Sequence, residues 1–375
     1  MKVAIYAGIF VKDQDGATKT LYELIESMLK KNIEVGVWTF SLTPMNKKGV
    51  SLFKLPSIPL PLYPEYKIAF PSIKLRAEMK SFKPDIIHVT VPDMVGIYLV
   101  KYAAKRGIPL VTSYHTDFPS YLKYYKLSFL RESVWKFFRW FYNKGKSVFV
   151  STEEMAGRLK EKGIKNIKIW SRGIHREHYN PEFRSDALRS KWGAQNEKVI
   201  LYSGRFVWYK DLDTYMEVYR LFKEKGPENV VFVMLGNGPI EEELKKRMPD
   251  AIFPGYLIGK ELSTAYASSD ILLFPSTTET FGNVIQEALA SGLPAVVSDI
   301  GGCKEIVYKS DGGLVAKAKD ANSFYECCKQ LVLDEDLYVK KRRNGLKYAK
   351  SKSWKEINGR VIQEYITLTS NQAKM

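Results

Sequence analysis

Residues 270–299, "DILLFPSTTETFGNVIQEALASGLPAVVSD", decide the fold class, because a strand, a loop, a helix and another strand follow one another in this stretch. "DILLF" and "LPAVVSD" are short and almost wholly apolar, which is the pattern of strands buried on both faces. The segment between them has the character of a loop that becomes a helix. Strands joined through a helix pair in parallel, so the stretch predicts a parallel sheet covered by helices.

The same alternation runs through most of the chain. Further strand-like runs are "KVAIYA", "EVGVWTF", "DIIHVT", "PLVTSY", "KSVFVS" and "NIKIW" in the first half and "KVILYS" and "NVVFVMLG" in the second. Two such series predict an α/β protein with two Rossmann-like, doubly wound parallel-sheet domains that face each other across a cleft. A polar stretch between the series places the domains at residues 1–180 and 181–353. The last helix-like segment, 354–370, is a candidate to pack back on the first domain.

The bulk composition is that of a folded globular protein. Of the 375 residues, 45% are hydrophobic and 26% are charged. No apolar run reaches the roughly eighteen residues that a membrane-spanning helix needs. The N-terminal "MKVAIYAGIF" is too short for a secretion signal and is interpreted as a first strand. Three cysteines without metal-binding spacing fit a reducing compartment, so these features predict a cytoplasmic protein.

The positive charge is concentrated in the first half of the chain. Residues 1–180 contain 30 Lys and Arg against 15 Asp and Glu, whereas the remaining residues contain 28 against 26. A basic proteome would raise both halves, so the asymmetry indicates an anionic partner for the first domain. The candidates are nucleic acid, a membrane surface and an acidic substrate.

Two cations follow the strand "KVILYS". Arg205 and Lys210 lie in "SGRFVWYKD", at a strand end where doubly wound folds bind ligands. A bidentate Arg beside a Lys suits a diphosphate. A pair of ordinary surface cations is the alternative.

Two acids flank the predicted helix start in "TETFGNVIQE". Backbone N–H groups at Phe281, Gly282 and Asn283 suit a bound phosphate, because a helix N-terminus attracts anions. Glu279 would then accept hydrogen bonds from sugar hydroxyls, and Glu287 could reach ribose hydroxyls from the helix. The alternative is an acid stabilised by the helix dipole and an ordinary surface glutamate.

The strand ends of the first half offer weaker signals. His115 follows "PLVTSY" and could donate to a ligand, transfer a proton or serve as a structural histidine. Gly16 precedes a helix and permits close approach of a phosphate. The absence of G-x-G-x-x-G there weakens the case for a dinucleotide site. Asp13 and Asp15 have metal-binding D-x-D spacing but are interpreted as loop-surface acids.

Residues 121–146 form the most aromatic and basic segment of the chain. They contain ten aromatic residues and seven Lys or Arg but only one acid, Glu132. Leu130, Val134, Phe137, Phe138 and Phe141 have helical spacing and are predicted to face the core. Other faces are then left to Trp135, Trp140, Tyr142, Lys136, Arg139 and Lys144. Such faces suit a membrane interface, stacking on single-stranded nucleic acid or a buried helix with cations that reach solvent.

Many ordered motifs together resemble glycosyltransferase family 4, retaining enzymes of the GT-B fold. The resemblance spans nearly the whole chain and rests on "DGATKTL", "KPDIIHVTVPDMVG", "YHTDFPSY", "VSTEEM", "WSRGI", "YSGRFVWYKDLD", "LGNGP", "FPGYLIGKEL", "YASSDILLFPSTTETFGNVIQEALASGLPAV" and "DGGLVA". "HTDFPSYLKYY…VWKFFRWFYNK" and "WSRGI" are most similar to mannosyl-, glucosyl- and sulfoquinovosyl-transferases that glycosylate diacylglycerol-type lipids.

The resemblance implies a role for each matching residue. His115 and Glu279 would contact the donor sugar, and Glu287 the ribose. Arg205 and Lys210 would bind the diphosphate and stabilise it as the leaving group. The remaining donor-binding positions are Gly16 at the phosphate loop, Phe281, Gly282 and Asn283 through backbone N–H groups, and Tyr256 and Leu257 where backbone atoms read the base. Two positions depart from the family pattern, since Asp15 replaces a glycine and His175 replaces an aspartate.

The resemblance predicts a retaining hexosyltransferase that moves glucose or mannose from a UDP- or GDP-sugar to a glycolipid or a diacylglycerol-type lipid. We expect neither a cofactor nor a divalent metal, and no nucleic-acid partner. The enzyme would associate peripherally with the inner face of the cell membrane through segment 121–146. The alternatives are transfer to a soluble sugar or a lipopolysaccharide-type acceptor, and a catalytically decayed protein that binds an anionic polymer.

Overall fold

A computed structural model describes residues 1–11, 16–43, 45, 47–60, 63–122 and 128–372. The chain divides into two compact units. The first unit contains Met1–Arg172 and Trp354–Met375, and the second contains Gly173–Ser353. The sequence placed the boundary at residue 180, whereas the structure places it directly after Arg172.

Parallel sheets form the centre of both units. Within the described residues, the first unit has a parallel sheet ordered β3-β2-β1-β6-β7-β8-β9 and a separate antiparallel pair, β4-β5. Its strands are β1 (Lys2–Phe10), β2 (Glu34–Leu42), β3 (Val50–Lys54), β4 (Ser57–Leu60), β5 (Tyr63–Ala69), β6 (Ile86–Val89), β7 (Leu110–Tyr114), β8 (Ser147–Val150) and β9 (Ile167–Ile169).

The second unit has a parallel sheet ordered β12-β11-β10-β13-β14-β15. Its strands are β10 (Lys198–Ser203), β11 (Val230–Leu235), β12 (Ile252–Gly255), β13 (Ile271–Phe274), β14 (Ala295–Ser298) and β15 (Gly313–Ala316). This is the strand order of a doubly wound nucleotide-binding sheet.

Helices connect most of the successive parallel strands, although none is described between β2 and β3. Those of the first unit are α1 (Gly16–Leu29), α2 (Ile73–Phe82), α3 (Met94–Arg106), α4 (Phe118–Tyr121), α5 (Arg131–Tyr142) and α6 (Glu153–Glu161). Those of the second are α7 (Asp186–Lys191), α8 (Leu212–Lys225), α9 (Glu241–Arg247), α10 (Gly259–Ala267), α11 (Asn283–Ala290), α12 (Cys303–Ser310), α13 (Ala321–Leu333) and α14 (Glu335–Lys350). The last helix, α15 (Trp354–Gln372), belongs to the first unit. Short 3-10 turns occupy Ser128–Leu130, Pro181–Phe183 and Trp208–Lys210.

Local sequence fixes the helix ends. In α3, the carboxylate of Asp93 accepts a hydrogen bond from the backbone N–H of Gly96, and Gly107 ends the helix with a left-handed φ of 67°. An Asp cap satisfies one of the unpaired N–H groups of the first turn. A glycine takes the left-handed conformation at the end without steric cost.

Helix α15 is an integral part of the first unit. Val361, Ile362 and Tyr365 are fully or almost fully buried and pack in one hydrophobic cluster with residues of β1, β2 and α1. The Tyr365 hydroxyl also makes a 2.7 Å hydrogen bond with Nδ1 of His88 on β6. His88 is therefore structural.

Helix α5 has a buried face and an exposed face. Phe138 and Phe141 are buried as predicted, but Trp135 and Tyr142, which the sequence assigned to other faces, are also buried. Leu130, predicted to face the core, is 38% exposed because it lies in the 3-10 turn before the helix, where the helical spacing does not yet apply. Within the described residues, no helix is long and apolar enough to cross a membrane.

Candidate active site

The strand order of the second unit brings two loops together. Strand β10 lies between β11 and β13, so the connections leaving β10 and β13 run to opposite sides of the sheet. Such a reversal leaves a crevice at the carboxyl ends of the two strands, where doubly wound folds bind ligands. The loops that border it are 204–211 and 275–282.

Lys210 and Glu279 meet at this point, although 69 residues separate them along the chain. The Lys210 ammonium donates to the Glu279 carboxylate, and the two side chains are 14% and 24% exposed. The ammonium also lies 5.6 Å from the centroid of the Tyr209 ring. Charged groups with so little solvent contact need a partner of opposite charge. Lys210 and Glu279 are partners for each other.

Asp211 fastens the two loops to each other and was not predicted from the sequence. Its buried carboxylate accepts hydrogen bonds from the backbone N–H of Thr277 at 2.9 Å and from the Thr277 hydroxyl at 2.6 Å. The Thr278 hydroxyl adds a bond to the carbonyl oxygen of Tyr209 at 3.0 Å. Asp211 takes a left-handed φ of 54°, which a short polar residue tolerates better than most. Its position directly after the predicted Lys210 was the available signal in the sequence.

Helix α11 begins where the sequence predicted. Gly282 precedes it with a φ of 93°, and a Cβ at Gly282 would lie only 2.4 Å from Sγ of Cys303. Glycine is therefore required by conformation and by space. The Phe281 side chain is buried, and the Ile285 N–H donates to the Gly282 carbonyl oxygen at 3.0 Å, so the N–H groups of Asn283 and Val284 come before the first hydrogen bond of the helix.

Glu287 lies on the second turn of α11 and is only 7% exposed. The Tyr266 hydroxyl donates to its carboxylate at 3.3 Å. Burial, followed by the Glu287 carboxylate, holds the pKa of Tyr266 well above its usual value, so the phenol remains a donor. The Glu287 carboxylate is therefore buried and hydrogen-bonded. It is not the ordinary surface glutamate of the alternative interpretation.

The other predicted residues of the second unit are more open. Arg205 is exposed in the loop after β10. Tyr256 is 58% exposed and Leu257 is half-buried, both directly after β12. Their donor-binding roles stay predictions.

His115 follows β7 in the first unit and contacts Arg172, which the sequence analysis missed. The Arg172 guanidinium donates to Nδ1 of His115 at 3.1 Å. Burial first, and the charge of Arg172 next, hold the pKa of His115 well below its usual value, so the imidazole is neutral. The "WSRGI" motif contains Arg172, but the motif alone did not reveal its partner.

Gly16 is the first residue of α1, and its carbonyl oxygen accepts a 2.7 Å hydrogen bond from the Thr20 hydroxyl. The predicted phosphate contact at Gly16 stays a prediction. Asp13 and Asp15 lie outside the described residues.

Among the described residues, His175, Glu177 and His178 form a group that could hold a metal ion. Their ligand atoms lie within 4.8 Å of one another. Two imidazoles and a carboxylate suit Zn²⁺. Nδ1 of His175 is already 2.7 Å from the Glu177 carboxylate, however, and Glu177 and His178 are exposed. The group belongs to the start of the second unit, apart from the loops after β10 and β13.

Two family models match the chain. "Glycosyltransferase Family 4" matches residues 14–178 and "Glycosyl transferases group 1" matches residues 184–352. Between them the models cover almost all of both units.

Named relatives and solved structures agree with these matches. The chain is 28% identical to a GDP-mannose-dependent alpha-mannosyltransferase of Corynebacterium glutamicum, over 97% of this chain and 88% of the relative. It is 25% identical to an alpha-monoglucosyldiacylglycerol synthase of Streptococcus pneumoniae, over 79% of this chain and 70% of the relative. A sucrose-phosphate synthase from Thermosynechococcus elongatus has the same fold, with a TM-score of 0.81, 17% identity and 99% coverage of both chains.

Asp211→Ala should destabilise the second unit more than Asp211→Asn does. Alanine costs about 1–2 kcal/mol in a left-handed conformation, and leaving the Thr277 groups unpaired costs about 1–3 kcal/mol more. Asparagine tolerates the conformation and keeps an acceptor. Denaturant unfolding followed by tryptophan fluorescence measures the difference.

Asp311→Ala is the matched control, because Asp311 also has a left-handed φ, of 48°, but its side chain is 51% exposed. It should show the backbone cost together with the loss of its exposed contacts to Lys341 and Asn344. A loss for Asp211→Ala no larger than that for Asp311→Ala would show that the buried Thr277 hydrogen bonds contribute no more stability than these exposed contacts.

Proposed function

Since the chain belongs to glycosyltransferase family 4, we propose that it transfers a hexose, with retention, from a nucleoside-diphosphate sugar to a hydroxyl group of a membrane lipid. The observation that carries the proposal is the meeting of Lys210 and Glu279 at the strand-order reversal of the second unit. GDP-mannose is the first donor to test, because the mannosyltransferase that is similar over 97% of this chain depends on it.

The Lys210–Glu279 pair suits a site that binds an anion. Glu279 compensates the charge of Lys210. A diphosphate has more negative charge than one carboxylate, so it would replace Glu279 as the partner of the Lys210 ammonium. The released Glu279 carboxylate could then accept hydrogen bonds from sugar hydroxyls. The pair therefore supports both roles that the resemblance gives these residues.

In the proposed reaction, the bond from the anomeric carbon to the diphosphate breaks and a bond to the acceptor oxygen forms on the same face. The acceptor proton passes to an oxygen of the departing diphosphate. Lys210, Arg205 and the N–H groups at the start of α11 would stabilise the negative charge that develops there. Preorganised donors of this kind account for a large share of enzymatic rate enhancement.

A lipid acceptor is supported by one relative and by the surface of the first unit. The Streptococcus pneumoniae relative is named for a glucosyldiacylglycerol product. Lys136 and Trp140 are one helical turn apart on α5, and Phe129 lies in the 3-10 turn before it. All three are exposed, and the Phe129 and Trp140 side chains are 77% and 39% exposed. Arg131 and Arg139 are exposed on the same segment. We call these five exposed residues the apolar-basic face, which suits an anionic membrane surface.

Donor binding tests the substrate class directly. A bound donor raises the melting temperature by mass action, so GDP-mannose, UDP-glucose and their free nucleotides should be compared by thermal shift. We expect a shift with one hexose nucleotide, and the same shift after EDTA treatment. Stabilisation by polyanions such as heparin, with none by any donor, would instead favour the decayed binding protein. A shift that EDTA abolishes would contradict metal independence.

Lys210→Ala and Arg205→Ala should each reduce kcat by about 10²–10³-fold, because each removes a cation from the leaving group. The melting temperature of the protein without donor should change little for Arg205→Ala, at an exposed residue, and fall modestly for Lys210→Ala, which leaves the Glu279 carboxylate without this partner. Lys309→Ala is the control, since Lys309 forms an exposed pair with Glu305 on α12. Near-normal turnover in both site variants would refute the diphosphate assignment.

The double variant Phe129→Ser, Trp140→Ser should bind anionic vesicles at least about tenfold more weakly than the unchanged protein, because it loses two apolar side chains that would enter the membrane. Sedimentation with phosphatidylglycerol and phosphatidylcholine vesicles measures the effect. Leu333→Ser, at a residue 62% exposed in the second unit, is the control. Equal binding of the unchanged protein to both lipids would exclude the electrostatic contribution.

A further inference from the structure

A buried polar cluster surrounds His115 in the first unit. The Arg172 side chain is buried, and its guanidinium donates to the carbonyl oxygen of Trp170 at 2.6 Å and to Nδ1 of His115 at 3.1 Å. The His115 ring stands edge-on to Trp170, with ring centroids 5.5 Å apart. One cation therefore links the end of β7 to the segment after β9.

The direction of the Arg172–His115 hydrogen bond determines where His115 carries its proton. A guanidinium has five N–H donors and no acceptor, so Nδ1 of His115 must present a lone pair. A neutral imidazole that accepts at Nδ1 is protonated at Nε2. Burial lowers the pKa of Arg172 only to about 9, so the guanidinium is charged at neutral pH.

We propose that Arg172 is a positioning residue that fixes His115 as the Nε2–H tautomer, so that His115 donates to an oxygen of its ligand and does not act as a base. The single ring lone pair is held by Arg172, and no lone pair is left at Nε2 to receive a proton. The ligand group at Nε2 must then be an acceptor, such as a sugar hydroxyl oxygen. The acceptor proton of the transfer reaction must leave by another route, for which the departing diphosphate is the candidate.

The surroundings hold Arg172 and His115 in this geometry. The guanidinium lies 5.4 Å from the centroid of the Trp170 ring. The Trp170 indole donates to the side-chain oxygen of fully buried Asn358 on α15 at 3.1 Å, and the Asn358 amide donates to the Ser27 hydroxyl on α1 at 3.1 Å. Helix α15 thus holds Trp170 in place, and Trp170 contacts both Arg172 and His115.

The tautomer can be observed in the unchanged protein. With only four histidines in the chain, ¹⁵N-histidine labelling and long-range ¹H–¹⁵N spectra distinguish a protonated ring nitrogen from a bare one. His115→Gln assigns the signals by their disappearance. We expect His115 to be protonated at Nε2 alone at pH 7 without substrate. An Nδ1–H form, a mixture of tautomers or an imidazolium would overturn the inference.

Variants of Arg172 test its part in the effect. Arg172→Met removes the donor, and His115 should then show a mixture of tautomers. Arg172→Lys keeps a charged donor and should preserve the Nε2–H form. A pure Nε2–H form in a folded Arg172→Met protein would show that Arg172 does not fix the tautomer. The measurement on the unchanged protein stands even where a variant fails to fold.

The kinetic consequence rests on the proposed function. Arg172→Met should lower kcat about 10–100-fold, the worth of one hydrogen bond to a charged or strongly polarised group, and Arg172→Lys should recover most of it. Full activity in Arg172→Met would overturn the positioning role. If the Nε2–H form is observed and no donor is turned over, the proposed reaction fails while the tautomer assignment holds.

Discussion

The adjacency of β10 and β13 in the second sheet is the constraint on which the candidate site depends. Both strands run in the same direction, so their carboxyl ends meet at one edge and their loops face each other. Lys210 and Glu279 pair only because of this arrangement. The hydrogen bonds from Thr277 to Asp211 then hold the two loops at a fixed spacing. Two loops that are far apart in the chain therefore form one candidate site at the edge of the second sheet.

Both units hold their polar site residues by the same physical means. A buried donor or acceptor without a partner costs about 1–3 kcal/mol, so Glu287 is paired with Tyr266 and His115 with Arg172. Each contact also determines which of the two partners donates the hydrogen bond. Tyr266 donates to Glu287, which keeps a carboxylate acceptor on α11, and Arg172 donates to His115. The pairs therefore set which ligand groups each residue can bind.

The α5 region shows how one segment satisfies two requirements. Its buried side contributes Trp135, Phe138, Phe141 and Tyr142 to the core of the first unit. Its exposed side presents the apolar-basic face. The sequence leaves membrane contact and core packing as alternatives for this segment, but one helix can have a buried side and an exposed side, because side chains three or four residues apart share a face.

The sequence alone predicted much of the fold, through the spacing of apolar residues, and part of the candidate site, through the position of polar residues just after strands. The apolar runs identified the central strands of both sheets, and the positions after "KVILYS" and "DILLF" identified Lys210 and Glu279. Strands β3, β12 and β15, at the sheet edges, and the hairpin β4-β5 were missed, because their short, half-exposed or proline-containing sequences lack the apolar run of a central strand. The sequence also predicted that the last helix packs on the first unit, but only the tertiary structure decided the polar partners: Asp211 with Thr277 and Arg172 with His115. These contacts join residues far apart in the chain, and local patterns have no information about which buried polar groups must satisfy one another.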